Sequence, residues 1–227
     1  MFVISYLSIN ALTTVRAFVS AESFYSKSQK DATHFLNLYA TSHSISDYQR
    51  FIEAISIPLA DYKARTALQK NPPDFLLARE SFIKAKNHPQ DVDGMIDFFV
   101  RFSNSRLMQE PIAMWTAADL NVEKLKLSGE ELHHNIEAGN IGENIILPII
   151  DRINKLNFEL LIQEDILSNA LGSTSHKLHN LINVVRFFFV VLLVMLGLVL
   201  TRRIVLKNIE VNNKFRENEN RLRVLGS

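Results

Sequence analysis

The apolar positions of this chain follow two patterns. Along most of its length they recur every three or four residues, the period of one face of an α-helix. Near the C-terminal end they close into an unbroken run. In the first stretch, Phe18, Ala21, Tyr25, Ser28, Ala32, Phe35 and Tyr39 are apolar or small, and the gaps between them alternate between three and four. That alternation is the seam of a helical bundle. The small side chains at Ala21, Ser28 and Ala32 permit close helix contact. The pattern predicts a first helix to about Thr41. "TSHSIS" breaks it, and Ser46 with Gln49 three residues later predicts a capping box for a second helix. Its expected apolar face is Tyr48, Phe51, Ile52, Ile55, Leu59 and Tyr62, with a kink at Pro58. "KNPPD" ends it. Pro72 suits a first helical position and predicts a short helix to about Lys86. Pro89 opens another, to about Phe102. A longer helix over 106–138 ends at "AGNIG", where glycine supplies the stop. A last helix starts near Glu143. Breakers are few, with 7 Gly and 6 Pro in 227 residues. The predicted fold class is all-α.

The unbroken run is "LINVVRFFFVVLLVMLGLVLTRR", residues 181–203. No charge lies between Arg186 and Arg202. About twenty residues, 181–201, are enough at 1.5 Å per residue to cross a hydrocarbon core of about 30 Å. Arg186 can snorkel to one interface. Arg202, Arg203 and Lys207 follow the run directly, so the positive-inside rule places 202–227 in the cytoplasm and 16–180 outside. Residues 1–15 are apolar but carry Ser5, Ser8, Asn10, Thr13 and Thr14. They are short for a complete span and are read as part of a first membrane helix. A cleaved leader ending near Val19-Ser20-Ala21 fits less well, because no basic segment precedes it. Both ends of 16–180 then meet one membrane face. The architecture expected is an elongated up-and-down bundle, four-helix-bundle-like, standing on membrane helices. The short proline-bounded helices are expected near its distal end. Beyond the span, Ile204, Val211, Asn218 and Leu225 repeat every seven residues, and Asn208, Phe215 and Leu222 form a second series. This is a heptad seam with polar Asn208 and Asn218 inside it, the pattern of a signalling coiled-coil linker over 202–227. A plain amphipathic linker is the other reading.

Charge divides the chain in the same way. Residues 20–180 hold 21 acidic and 16 basic side chains, whereas 202–227 hold 7 basic and 3 acidic. Seven cations over this tail make a solvated coil rather than a nucleic-acid site. The absence of cysteine excludes disulfides and thiol catalysis. No glycine-rich phosphate loop, nucleophile elbow or metalloprotease helix occurs, so this chain is not expected to be an enzyme. His176 and His179 share a helix face and His133 and His134 are adjacent, but no spacing offers further ligands. Neither a metal nor a cofactor is expected. Trp115, the only tryptophan, lies in "PIAMWTAADL" as a core residue or as the wall of a ligand pocket.

Four segments carry a family resemblance: "VRAFVSAESFYSKSQKDA" from Val15, "DYQRFIEAISIPLADYKAR" from Asp47, "NHPQDVDGMIDFFVRF" from Asn87 and "IAMWTAADL" from Ile112. Together, over about residues 15–132, they resemble the extracytoplasmic helical sensor region of membrane-bound bacterial signalling proteins. The cytoplasmic parts of those proteins are PAS, GGDEF and EAL cyclic-di-GMP modules or histidine kinases. The resemblance implies a periplasmic sensor and transmembrane input module of the inner membrane. It would be dimeric and would take an unidentified small molecule or periplasmic protein. A diguanylate cyclase, phosphodiesterase or histidine kinase would be its output. Arg16, Glu22, Ser26, Lys27, Gln29, Lys30, Asp31, Asn87, His88, Asp91 and Asp93 match the polar motif positions. This chain departs at Ser20 and Ala21, where paired glycines are frequent, and at Tyr25, where tryptophan is. The ligand-binding set expected is Arg16, Glu22, Tyr25, Ser26, Gln29, Asn87, His88, Asp91, Asp93 and Trp115. The transmission set is Asn208, Val211, Phe215, Asn218 and Leu222. The competing expectation is a non-enzymatic membrane adaptor or structural bundle that holds a partner.

Overall fold

The computed structural model describes residues 2–225, with side chains over 13–214 and at Arg216. Every regular element among them is an α-helix: α1 (Phe2–Ser42), α2 (Ile45–Leu68), α3 (Phe75–Lys84), α4 (Pro89–Phe102), α5 (Gln109–Glu137) and α6 (Glu143–Leu225). The chain divides after His179 into two units.

Local chemistry sets the boundaries. Ser44, not Ser46, sits at the N-cap of α2, and its side chain makes no capping bond. The turn is held instead by Ser42, whose hydroxyl donates to Asp47 at 2.6 Å and accepts from the Ser44 N–H at 3.1 Å. The Ser42 hydroxyl thus accepts the N-cap N–H, the role that the expected capping box assigned to Gln49. α2 continues through Pro58. Pro72 does not open α3; its peptide bond to Asn71 is cis. α3 starts at Phe75, because Asp74 accepts from the Leu77 N–H at 3.1 Å. α4 spans Pro89–Phe102 as expected, with His88 as its cap. Between α5 and α6 the chain turns through Gly139, whose φ of 75° is left-handed. There the Asn140 N–H bonds to the Asn135 carbonyl, and the Gly142 carbonyl accepts from Ile145 and Ile146. Residues 137–144 are all exposed. α6 runs through Gly172 and Ser173 without a break.

In the first unit the helices form a bundle whose directions follow from pairs of contacts. Ser26 meets Glu164, Gln29 meets Asn157 and Asn37 meets Asn154, so α1 and α6 run antiparallel. Tyr25 meets Asp119 and Tyr39 meets His133, so α1 and α5 run parallel. Arg65 meets Asp119 while Tyr48 stacks on His133, so α2 opposes α5. The expected α1 seam is buried at Phe18, Ala21, Tyr25, Ser28, Ala32 and Tyr39, whereas Phe35 is half-buried and Leu36 is the enclosed neighbour. On α6, Ile146, Ile149, Ile153, Leu156 and Leu160 are buried at the same three-four spacing.

Two expectations are corrected. The expected face of α2 is covered only in part: Phe51 and Ile55 are buried, but Ile52 is exposed and Leu59 and Tyr62 are only half-buried. Beside Phe51, Ile55, Ile57 and Leu68, the covered face takes in Ala54, Ala60, Asp61, Ala64, Arg65 and Ala67. Alanines allow close approach, and the buried Arg65 has a buried acid to meet. The short helices also lie at the other end. Phe98 of α4 packs on Phe18 at 5.9 Å, and Gly94 faces Thr14, near the start of the described side chains of α1. At 1.5 Å per residue the 24 residues of α2 carry the chain about 36 Å away from the α1–α2 turn before α3 and α4 form.

The second unit is the remainder of α6. Its most apolar 18-residue window has a mean hydropathy of 2.7 and none of it is buried, so this helix is long and apolar enough to cross a membrane. Asn208 and Val211 are exposed. The side chains of Phe215, Asn218 and Leu222 lie outside the described residues, as do those of 1–12 in the segment read as a first membrane helix.

Candidate functional site

Four helices each place a polar side chain in the interior of the first unit. α1 contributes Tyr25, α2 Asp61 and Arg65, α5 Asp119, and α6 Glu164, all at most 5% exposed. Asp61 and Arg65 are four apart and therefore share a helix face. Arg65 sends Nε and Nη2 to the same Asp119 oxygen at 2.9 and 2.8 Å, and Nη1 to Gln69 at 2.7 Å. Its guanidinium also lies 5.9 Å from the centre of the Trp115 ring. The Tyr25 hydroxyl donates to the other Asp119 oxygen at 3.4 Å. On the α1–α6 side, Ser26 donates to Glu164 at 2.7 Å and Lys30 lies 3.4 Å from the same oxygen. Gln29, wholly buried, donates to Thr33 and to Asn157, both at 3.1 Å.

A cavity of about 20 Å³ adjoins this cluster, room for about one water-sized group. Its walls are mainly apolar: Phe18, Ala21, Met108, Trp115, Leu167 and Leu171 are among them. The acids on its wall are Asp61 and Glu22, and Tyr25 also borders it. Asp61 Oδ1 is buried and has no hydrogen-bond partner among the described residues. Glu164 Oε1 and Gln29 Oε1 are likewise unpartnered. All three atoms are acceptors. Glu22, half-buried, also borders an open groove with Ser23, Ser26, Lys27, Lys30 and Asp31.

Burial dominates the acid–base behaviour. It pushes the Asp61 carboxyl well above the ordinary carboxylate range, helped by the nearby Asp119 and opposed by Arg65 and by a hydrogen bond from Trp115. Asp119 is raised to about 7 by burial, against the pull of Arg65. Burial also raises Glu164 and Glu22, the latter with repulsion from Glu164. A raised acid holds in the fold a proton that the unfolded chain releases. Its stabilising contribution is complete below the unfolded value, near 4, and is lost as pH rises through the folded value. The chain should therefore melt at a higher temperature at about pH 5 than at about pH 8. Thermal melts followed by circular dichroism check this; the reverse order would mean that the carboxylates are better stabilised when ionised.

The expected ligand residues separate into two groups. Glu22, Tyr25 and Trp115 line the cavity, and Ser26 and Gln29 pack beside it against α6. Arg16 is exposed. The α3–α4 residues meet none of these in a hydrogen bond or ion pair; their partners are local. Asn87 donates to the Phe82 carbonyl at 3.0 Å, His88 accepts from the Gln90 N–H at 3.3 Å, the Asp91 N–H bonds to the His88 carbonyl, and Asp93 pairs with Arg79. Asp61, Arg65, Asp119 and Glu164 were not anticipated. Their signal is visible in spacing: Glu164 falls between Leu160 and Leu167 in a three-four series. Asp119 follows Trp115 by four.

No known family matches the chain, and neither a curated protein nor a solved structure does.

Proposed function

We propose that this chain is the input module of a membrane-bound bacterial signalling protein, with 16–180 in the periplasm, 181–201 across the inner membrane and 202–227 in the cytoplasm. The first unit is then an up-and-down bundle on membrane helices, and the polar core with its cavity is its ligand site. One observation carries the reading: Glu164, Leu167 and Leu171 belong to the same uninterrupted helix as the apolar run. Any ligand that repacks α6 at this core acts on the helix that continues through the span. Regulation requires only that it bind two arrangements of α6 unequally. The exposed Phe158, Leu161, Ile162 and Ile166 on α6 offer a face for a second copy, consistent with a homodimer.

Reporter fusions test the placement. Alkaline phosphatase joined in the exposed turn at Asn140 should be active, and joined after Lys214 it should be inactive. The reverse pattern, or two active fusions, overturns the assignment. Sensing is tested by joining the chain to the catalytic body of a histidine kinase, where Glu164→Gln should change the output. Unchanged output would favour the adaptor.

A further inference from the structure

We infer that the cavity beside Asp61 binds the ammonium group of a small primary amine, with the Asp61 carboxylate as its counter-ion; this rests on the ligand-input reading above. The unpartnered atom specifies the chemistry. Asp61 Oδ1 is the unpartnered atom on the cavity wall, and in the ionised carboxylate it is an acceptor, so its missing partner is a donor. Charge points the same way. Glu22, Asp61, Asp119 and Glu164 face Arg65 and Lys30, four acids against two cations. Arg65 is already committed, giving its N–H groups to Asp119 and Gln69. Lys30 is committed to Glu164 and Ser26. Asp61 lacks such a cation of its own.

The remaining wall selects an organic cation over an inorganic one. A calcium or magnesium ion takes six or more oxygens, whereas this wall is mainly Phe18, Ala21, Met108, Leu167 and Leu171. An ammonium on a short carbon chain matches it, with the Trp115 and Tyr25 rings as polarisable walls. The cavity admits about one head group. The rest of the molecule would leave past Glu22, which borders both the cavity and the open groove.

The test uses the whole chain in detergent or lipid nanodiscs at several pH values from neutral to mildly alkaline. Its melting temperature is titrated with n-propylammonium chloride, and with sodium chloride and n-propanol as matched controls. The expected result is a saturable rise with propylammonium alone, following the linkage between binding and stability, and its loss in Asp61→Asn. If Asp61→Asn melts too low to read, Ala21→Leu, which fills the cavity from α1, should abolish the rise. An equal response to n-propanol, an unchanged response in these variants, or no saturable rise overturns the inference. Any of those results with the fusion pattern intact removes the amine and leaves the membrane-input reading standing. A wrong fusion pattern with a specific amine response does the reverse.

Discussion

Arg65→Met should destabilise the chain by about 3–5 kcal/mol, because breaking one side of a buried ion pair leaves the other charge without compensation. Arg65 and Asp119 are 3% and 1% exposed, so water cannot take over the lost contacts. The substitution removes two donors from one Asp119 oxygen and the contact to Gln69. In a domain of this size the loss corresponds to a fall in melting temperature on the order of 10 °C. Arg65→Lys should recover little, since an ammonium cannot reproduce the fork that reaches Asp119 and Gln69 together. The double variant Arg65→Met with Asp119→Leu should recover most of the loss, because apolar replacements of similar volume remove both desolvated charges. Urea unfolding of the four proteins measures this. A single-variant cost below about 1 kcal/mol, the range of exposed pairs, would mean that the pair is solvated.

Gly129→Ala should also destabilise, against the ordinary preference of a helix for alanine. That preference favours Ala by about 1 kcal/mol. At Gly129 an added Cβ would lie 2.5 Å from two Phe51 ring carbons and 3.0 Å from Leu36 Cδ2. Both neighbours are wholly buried. Neither ring nor leucine is free to swing into solvent, so α5 must move from α1 and α2, at a cost of about 1–3 kcal/mol. Gly129→Val should cost more. Gly172→Ala gives the opposite sign: nothing lies within 4 Å of its added Cβ, and α6 should gain up to about 1 kcal/mol. The same unfolding assay reads both. Stabilisation by Gly129→Ala would show that α5 does not pack this closely.

Local signals were legible in the sequence where one residue type dominates. Pro89 marks the start of α4, Gly139 the turn before α6, and the small residues of α1 its buried seam. The face of α2 was legible only in part: Phe51 and Ile55 are buried as expected, and the polar and alanine positions beside them were not seen. Three larger apolar side chains, Ile52, Leu59 and Tyr62, are more exposed than Ala60 and Ala64, and hydrophobicity alone ranks these in reverse. The reason is tertiary: Arg65 needs Asp119, 54 residues away, and the two are enclosed together. Neither acid nor base announces its partner locally. For the same reason Glu22, Ser26 and Gln29, expected among the ligand residues, gave no sign that Gln29 is fully enclosed by an α6 that begins more than a hundred residues later. Glu164 was the most legible of the missed residues, a carboxylate in an otherwise apolar series.

The turn at Gly139 makes the chain divisible. Every residue over 137–144 faces solvent, and the helix ends on either side are closed by bonds among neighbouring residues. Exposed tips of this kind accept cleavage and insertion. A cut there yields one piece holding α1 to α5 with Arg65 and Asp119, and another holding α6 with Glu164. The two pieces would meet only through the side-by-side fit of α6 on α1 and α5. Reassembly of such halves would isolate the grip of that last helix from the stability of everything it rests on.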